Sequence, residues 1–253
     1  MAATVYFLDP LPSAGESGVL DGAEGRHAAT VRRTTVGERL VLSDGRGSFA
    51  TVEVTGVEKA RLEFSVLSVT AETPPRPTVT VVQALPKSER SELAVETATE
   101  AGAVAIVPWQ SLRCVSRWDG PKAVKGVAKW RNAATAAAKQ ARRAFVPEIA
   151  ALHDTRMVRS LVEGVVARGG IVVALHEAAP GAFADLPFRG APEVVLVVGP
   201  EGGLDDTEID MLVGAGATPA LLGPTVLRTS TAAAVALGAL GVLTDRWSGA
   251  PPA

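Results

Sequence analysis

Two glycine-rich bends hold the residues of this sequence best suited to chemistry. In the first, Val194 to Gly203 (VVLVVGPEGG), an apolar run ends in Gly199, Pro200, Glu201, Gly202 and Gly203. Glycines at such a bend let the backbone turn sharply and approach a ligand closely. Glu201 lies inside the bend and Asp205 and Asp206 follow it. Three carboxylates would repel a pyrophosphate, which bends of this kind usually bind through bare N–H groups. The bend lacks the GxGxxG dinucleotide pattern, and no GxxxxGK[ST] phosphate loop occurs in the chain. A phosphate-free ligand carrying positive charge suits it better, and S-adenosylmethionine, with its sulfonium and amino group, has that chemistry. The second bend, Leu221 to Thr231 (LLGPTVLRTST), places apolar Val226 and Leu227 where a solvated loop would hold polar residues. They would suit the wall of a pocket for a flat adenine. Leu175, His176 and Glu177 form a third group, also past an apolar run, and His176 could act as a general base. An ordinary reading of all three is tight turns over a core, with a hydrogen-bonded structural histidine.

The elements that would position these bends read as two regions. Residues 1–72 hold short β-branched or apolar runs (Thr4–Leu8, Arg39–Leu42, Phe49–Val54, Leu62–Val69) between turn signals at Asp21-Gly22, Val36-Gly37 and Asp44-Gly45. A small β-barrel or compact antiparallel sheet is expected. Residues 73–77, Thr-Pro-Pro-Arg-Pro, form a stiff linker. From residue 78 to 253 strands and helices alternate, which implies an α/β fold with a mostly parallel sheet. Strands are expected at Thr78–Ala84, Val104–Val107 (stopped by Pro108), Ile171–Leu175, Val194–Val198 and Ala220–Leu222. Helices are expected at Ser88–Ala101, with Ser88 as N-cap and Leu93, Ala94, Ala98 and Ala101 inward. Others are expected at Pro121–Arg143 (Val124, Val127, Ala134, Ala138 and Ala141 inward), Asp205–Val213 with a capping box to Glu208, and Thr229–Leu243. Thr229, Ser230 and Thr231 offer hydroxyls to cap the last of these.

Charge is distributed unevenly. The chain of 253 residues has a net charge of −2, but Ser111–Arg143 holds nine basic residues against Asp119, a net of +8 that leaves −10 elsewhere. Such a segment suits a polyanion, although a solvated helix face would look the same. Trp118 and Trp130 within it could stack on bases or pack in a core. With 47% hydrophobic and 21% charged residues, a mainly disordered chain is excluded. One cysteine, Cys114, excludes an internal disulfide and a CxxC site, and His27, His153 and His176 lack metal-ligand spacing, so no metal is expected. No apolar run reaches the roughly 20 residues of a membrane span, and the N-terminus does not read as a signal peptide, so a cytoplasmic protein is expected.

The runs VVGPEGGLDDTEID and LLGPTVLRTSTAAAVAL closely resemble the RsmE family, the 16S ribosomal RNA uracil-N3 methyltransferases of the SPOUT superfamily. His27–Arg33, Ser43–Gly45, Lys87–Arg90, Glu96–Gly102, Ile106–Pro108, Arg113–Trp118 and Gln140–Arg143 follow the family order. The resemblance implies a trefoil-knot methyltransferase domain, an N-terminal PUA-like RNA-binding barrel, a homodimer, S-adenosylmethionine as cofactor, and the small ribosomal subunit as partner. It places Leu175, His176, Gly199, Glu201, Gly202, Gly203, Leu222, Gly223, Val226 and Leu227 at the cofactor. Removal of the uracil N3 proton calls for a cation near the base. Arg143, at the end of the basic helix, and Arg228, in the second bend, are the candidate catalytic cations, and Arg33, Lys87, Arg90, Arg113, Arg117, Lys125, Lys129 and Arg142 the candidate RNA contacts. The chain departs from the family pattern at Ser230, where Glu is common, at Thr97, where Lys is usual, at Ala101, where the family run is ELG, and at Thr4-Val5, where an arginine often stands. Another SPOUT-type RNA methyltransferase with a different nucleoside target, or a non-catalytic RNA-binding assembly factor, are the other readings.

Overall fold

The computed structural model describes residues 4–87 and 90–248. It divides into two compact units: one gathers the chain through Pro74 together with Ala138–Val146, and the other holds Pro75–Ala137 and the chain from Pro147 onward.

In the first unit, β1 (Val5–Phe7), β2 (Ser17–Leu20), β3 (Arg39–Ser43), β4 (Ser48–Glu58) and β5 (Arg61–Ala71) form one sheet in the order β1-β3-β4-β5-β2. β1 runs parallel to β3 and the other pairs are antiparallel. Alternation along β4 and β5 buries Ala50, Val52, Val54, Leu62, Phe64 and Val66, as period-2 patterning requires. The Asp44-Gly45 turn joins β3 to β4. Asp21-Gly22 instead opens α1 (Gly22–Arg26), which widens into a π turn over His27–Val31. A distant segment completes the hairpin: Gly47 N–H donates to Ala144 O at 2.9 Å, and Val146 N–H donates to Gly45 O at 2.9 Å. Gly47 has φ +115°, and a Cβ there would come within 2.6 Å of the Phe145 ring, so this approach requires glycine.

In the second unit, β6 (Thr78–Ala84), β7 (Ala105–Trp109), β8 (Glu148–Ile149), β9 (Ile171–Leu175), β10 (Glu193–Val198) and β11 (Thr218–Ala220) form a sheet in the order β11-β9-β10-β6-β7-β8. Every neighbouring pair is parallel. The connecting helices are α2 (Ser91–Glu100), α3 (Pro121–Gln140), α4 (Thr155–Ala167), α5 (Asp206–Gly214) and α6 (Ala232–Leu243). The chain steps outward one way from β6 through β7 to β8, and leaves β10 the other way, past β9 to β11. β6 and β10 therefore flank a topological switch point, where open parallel sheets bind ligands at the carboxyl ends of their strands.

Several expectations need correction. Pro108 lies inside β7 rather than ending it. The carbonyls of Val104, Ile106 and Pro108 accept from the N–H groups of Glu148, Ala150 and His153, so Pro108 turns its ring nitrogen to the outer side of β7, past the end of two-residue β8. Val124 of α3 is 72% exposed. Val127, Ala134 and Ala138 are buried as expected, and Trp130 and Ala137 join them in the stripe. Trp130 is fully buried, donates its indole N–H to Ser91 Oγ at 2.8 Å, and meets Trp118 edge-on at 5.2 Å, so both tryptophans pack rather than await a base. Leu93 turns outward from α2, while Ala94, Val95 and Ala98 are buried; the expected cap Ser88 lies outside the described residues. The last short strand is Thr218–Ala220, and α6 begins at Ala232 without a side-chain cap. The capping box at α5 forms as expected between Asp205 and Glu208.

Candidate functional site

Four of the six parallel strands deliver loops to one place. Past β6 come Lys87 and Arg90, past β9 Glu177, past β10 Pro200 to Gly203, and past β11 Val226 to Ser230; together they line a cavity of about 500 Å³. Two smaller spaces of about 70 Å³ each adjoin the same loops. One is lined by Leu175, His176, Leu222, Gly223, Val226 and Leu227. The other is lined by Leu175, His176, Gly199, Gly203, Leu204 and Leu227. The ten residues named for the cofactor thus converge on one crevice, although Val226 stands at its rim, 77% exposed.

Local chemistry explains why these loops hold their shape. Gly203 adopts φ +73°, a left-handed conformation that favours glycine. Gly199 would place a Cβ 3.0 Å from the Leu204 side chain, whereas Gly223 would place one in open space. Lys87 N–H donates to Glu201 Oε1 at 3.0 Å, linking the ends of β6 and β10. Gln83, buried at the end of β6, donates Nε2 to Thr229 O at 3.3 Å. Thr97 Oγ1 donates to Ser230 O at 3.3 Å, so two of the departures from the family pattern meet in space. Ser230 Oγ is buried with no hydrogen-bond partner among the described residues, and Thr231 Oγ1 returns to Arg228 O at 3.3 Å. The expected hydroxyl cap of α6 does not form.

Charges around the crevice differ in their freedom. Lys87, Arg90 and Arg228 line the cavity and form no ion pair among the described residues. Arg113 is committed: Nη1 donates to Leu204 O at 3.0 Å and Nη2 pairs with Asp205 at 3.1 Å. Hydrogen bonds from Thr207, then Arg113, hold the Asp205 carboxyl below the usual carboxylate range. Arg117 donates to Leu112 O at 3.0 Å. Lys125 and Lys129 stand exposed on the outer side of α3. Arg33 (φ +58°), Arg142 (φ +52°) and Arg143 belong to the first unit, and Arg143 N–H donates to Ala138 O at 2.9 Å. His176 Nδ1 accepts from Ala178 N–H at 3.3 Å. Burial raises the Cys114 thiol above its usual range, which leaves it a poor nucleophile. No cluster able to hold a metal occurs among the described residues.

Glu177, placed in the third group but given no role there, and Gln83, not singled out at all, are site residues the sequence left unassigned. The first was legible as the residue just past a buried strand. The second carried no signal, because a polar residue at the end of an apolar run reads as a boundary.

The comparisons with known proteins agree with this geometry. A model described as an RNA methyltransferase domain matches residues 73–241, and one described as an RNA methyltransferase PUA domain matches residues 20–67. The chain is 51% identical to ribosomal RNA small subunit methyltransferase E of Mycobacterium bovis, over 98% of this chain and 94% of that one. It is 31% identical to the protein of the same name from Bacillus subtilis, over 89% and 90% of the two chains. The solved structure of that methyltransferase from Neisseria gonorrhoeae, bound to S-adenosyl methionine, superposes with a TM-score of 0.84 at 26% identity, covering 96% of this chain and 98% of that one. A Legionella pneumophila structure with bound SAM gives the same TM-score at 30% identity, over 96% and 99%. With these matches spanning nearly its whole length, the chain belongs to the family of ribosomal RNA small subunit methyltransferase E.

Proposed function

We propose that this chain is an S-adenosylmethionine-dependent methyltransferase acting on N3 of one uridine in the 16S rRNA of the small ribosomal subunit. The observation that carries the reading is the single crevice at the switch point, built from the glycine bends after β10 and β11 and flanked by Lys87, Arg90 and Arg228. Leu175, Leu222 and Leu227 offer apolar walls, and Glu177 and Glu201 offer carboxylates. That set fits an adenosine with a positive charge and no phosphate. When bound, the cofactor supplies a methyl group activated by its sulfonium.

This chain's own part is positioning and charge. In-line displacement needs alignment more than covalent help. Uracil N3 must lose its proton, and Arg228 at the cavity wall would stabilise the anionic base. Arg143, at the end of the basic segment, is the second cation we assign to that role. An arginine holds its proton, so a proton acceptor must be sought among Glu201 and His176.

The trefoil knot fits the insertion of β10 between β9 and β6, and the contact of the 229–230 backbone with Gln83 and Thr97. A PUA-like RNA-binding barrel over 1–72, joined through 73–77 to a catalytic domain over 78–253, fits the mixed five-stranded sheet. A homodimer fits the outward Val235, Val242 and Trp247 beside the apolar α6. No described helix is long and apolar enough to cross a membrane, and a ribosomal substrate implies the cytoplasm.

The test is methyl transfer from labelled S-adenosylmethionine to small subunits of a strain lacking the gene, with mass spectrometry of the digested rRNA. One 3-methyluridine is expected. Methyl on another nucleoside would favour a different SPOUT-type specificity, and RNA binding without transfer would favour an assembly factor.

A further inference from the structure

The segment from Ser111 to Trp118, between β7 and α3, is bolted down along its length. Ser111 Oγ lies 3.2 Å from Cys114 Sγ, and both residues are buried. Leu112 N–H donates to Glu208 Oε1 at 2.9 Å, and Leu112 O accepts from Arg117 at 3.0 Å. Ser116 Oγ donates to Pro86 O at 2.8 Å, and Trp118 N–H donates to Gln110 Oε1 at 2.7 Å. Yet this fixed segment holds Leu112 55% and Val115 70% exposed. Single exposed aliphatics are ordinary. Two on one rigid segment, at the edge of a charged crevice, call for a cause.

Their surroundings supply one. Arg113 grips Leu204 and Asp205, and its Cβ lies 3.4 Å from where a Cβ on Gly202 would stand. Pro86, held by Ser116, precedes Lys87. The segment is therefore a wall beside the cavity mouth, where Lys87 and Gly202 are lining residues. Lys87 and Arg90 at the cavity, with Arg113 and Arg117 on the segment itself, bring positive charge to this side of the unit. A second copy meeting this face through a two-fold axis would oppose like charges. A polyanion would not.

We propose that Leu112 and Val115 form an apolar wedge that packs against an unstacked base beside the target nucleotide of an RNA, while the surrounding cations hold its phosphates. Aliphatic wedges of this kind keep neighbouring bases apart in other nucleic-acid complexes. An enzyme that modifies a base edge inside folded RNA must expose that edge. The wedge deepens the methyltransferase reading and rests on it for the choice of RNA.

The experiment compares wild type with the Leu112→Ser/Val115→Ser double variant. Binding to a fluorescein-labelled single-stranded RNA is read across a salt series, beside methyl transfer to small subunits. Because both side chains are exposed, the variant is expected to fold with unchanged S-adenosylmethionine affinity. RNA affinity should fall about tenfold, as loss of the apolar contact predicts, with an unchanged salt slope because no phosphate contact is lost. kcat/KM for subunits should fall alongside it. Unchanged affinity and transfer would overturn the wedge, and so would a drop in sedimentation mass, which would assign the residues to an interface between copies. If wild type transfers no methyl group but the RNA effect appears, the methyltransferase reading fails and the wedge stands.

Discussion

Glu201 and Lys87 are joined across the switch point by a backbone N–H donating to a carboxylate at 3.0 Å. The bond fixes the glycine bend after β10 against the chain leaving β6, and its acceptor is charged, which strengthens it. Glu201→Ala should therefore weaken S-adenosylmethionine binding by about tenfold, in line with a charge-assisted bond of roughly 1.5–3 kcal/mol. Glu201→Gln, which keeps an acceptor oxygen, should lose less. Isothermal titration calorimetry checks both; equal losses would mean that the charge matters and the backbone link does not.

Gly223 and Gly199 should respond differently to a larger side chain. A leucine at Gly223 meets open space and enters the crevice. The variant should melt like wild type and fail to bind the cofactor. A valine at Gly199 must displace Leu204, already 3.0 Å from a Cβ at that position. It should cost about 1–3 kcal/mol of stability, as overpacking does. Thermal melts with and without cofactor separate the two outcomes.

Trp130 anchors α3 to α2. Trp130→Phe keeps most of the ring contact with Trp118 but leaves the Ser91 hydroxyl without its donor. A loss of about 1–3 kcal/mol is expected from the vacated volume and the unmade hydrogen bond. Urea denaturation measures it. A neutral result would mean the core closes around the smaller ring.

The pH dependence of the Arg113–Asp205 link has a definite sign. Its carboxyl is depressed in the folded state, chiefly by the Thr207 hydroxyl and N–H bonds. The folded form therefore gains at neutral pH, and this gain is lost as the pH falls through the lowered value. Asp205→Asn retains a cap for α5 but should flatten the acid limb of a melting-temperature profile. A parallel limb in the variant would refute a stabilising role for the Asp205 charge.

Reversing Lys125 and Lys129 to Glu should weaken RNA binding and reduce its salt dependence, since each phosphate contact contributes to the slope. Both side chains are exposed, so the fold should tolerate the change. An unaltered slope would make the outer side of α3 a merely solvated face.

Most of the parallel sheet was legible because strands buried on both faces read as continuous apolar runs. Thr78–Ala84 and Ile171–Leu175 match the observed strands residue for residue. The glycine bends were legible because their residue types have few other uses. Other elements were not, β2 and α4 among them. β8 has only two residues, too few for any period. α1 follows an Asp-Gly pair that equally signals a turn. In the stripe of α3, Val127, Ala134 and Ala138 are buried as expected, but Val124 is apolar yet exposed and Ala141 lies past the helix end. Trp130, which the pattern did not single out, is the largest side chain on the inward face. The grouping of 138–146 with the first unit left no trace in composition, since pairing across about 100 residues depends on the fold rather than on local preference.

β10, the strand between β9 and β6, comes late in the chain: Val195 pairs with Thr80, and Val198 with Gln83. Such distant pairing slows folding, because a long loop must close before any contact rewards it. During synthesis, β6 must wait unaccompanied on that flank until residues 193–198 have left the ribosome. Any nascent chain stalled before them carries a half-built sheet with an apolar edge open to its neighbours.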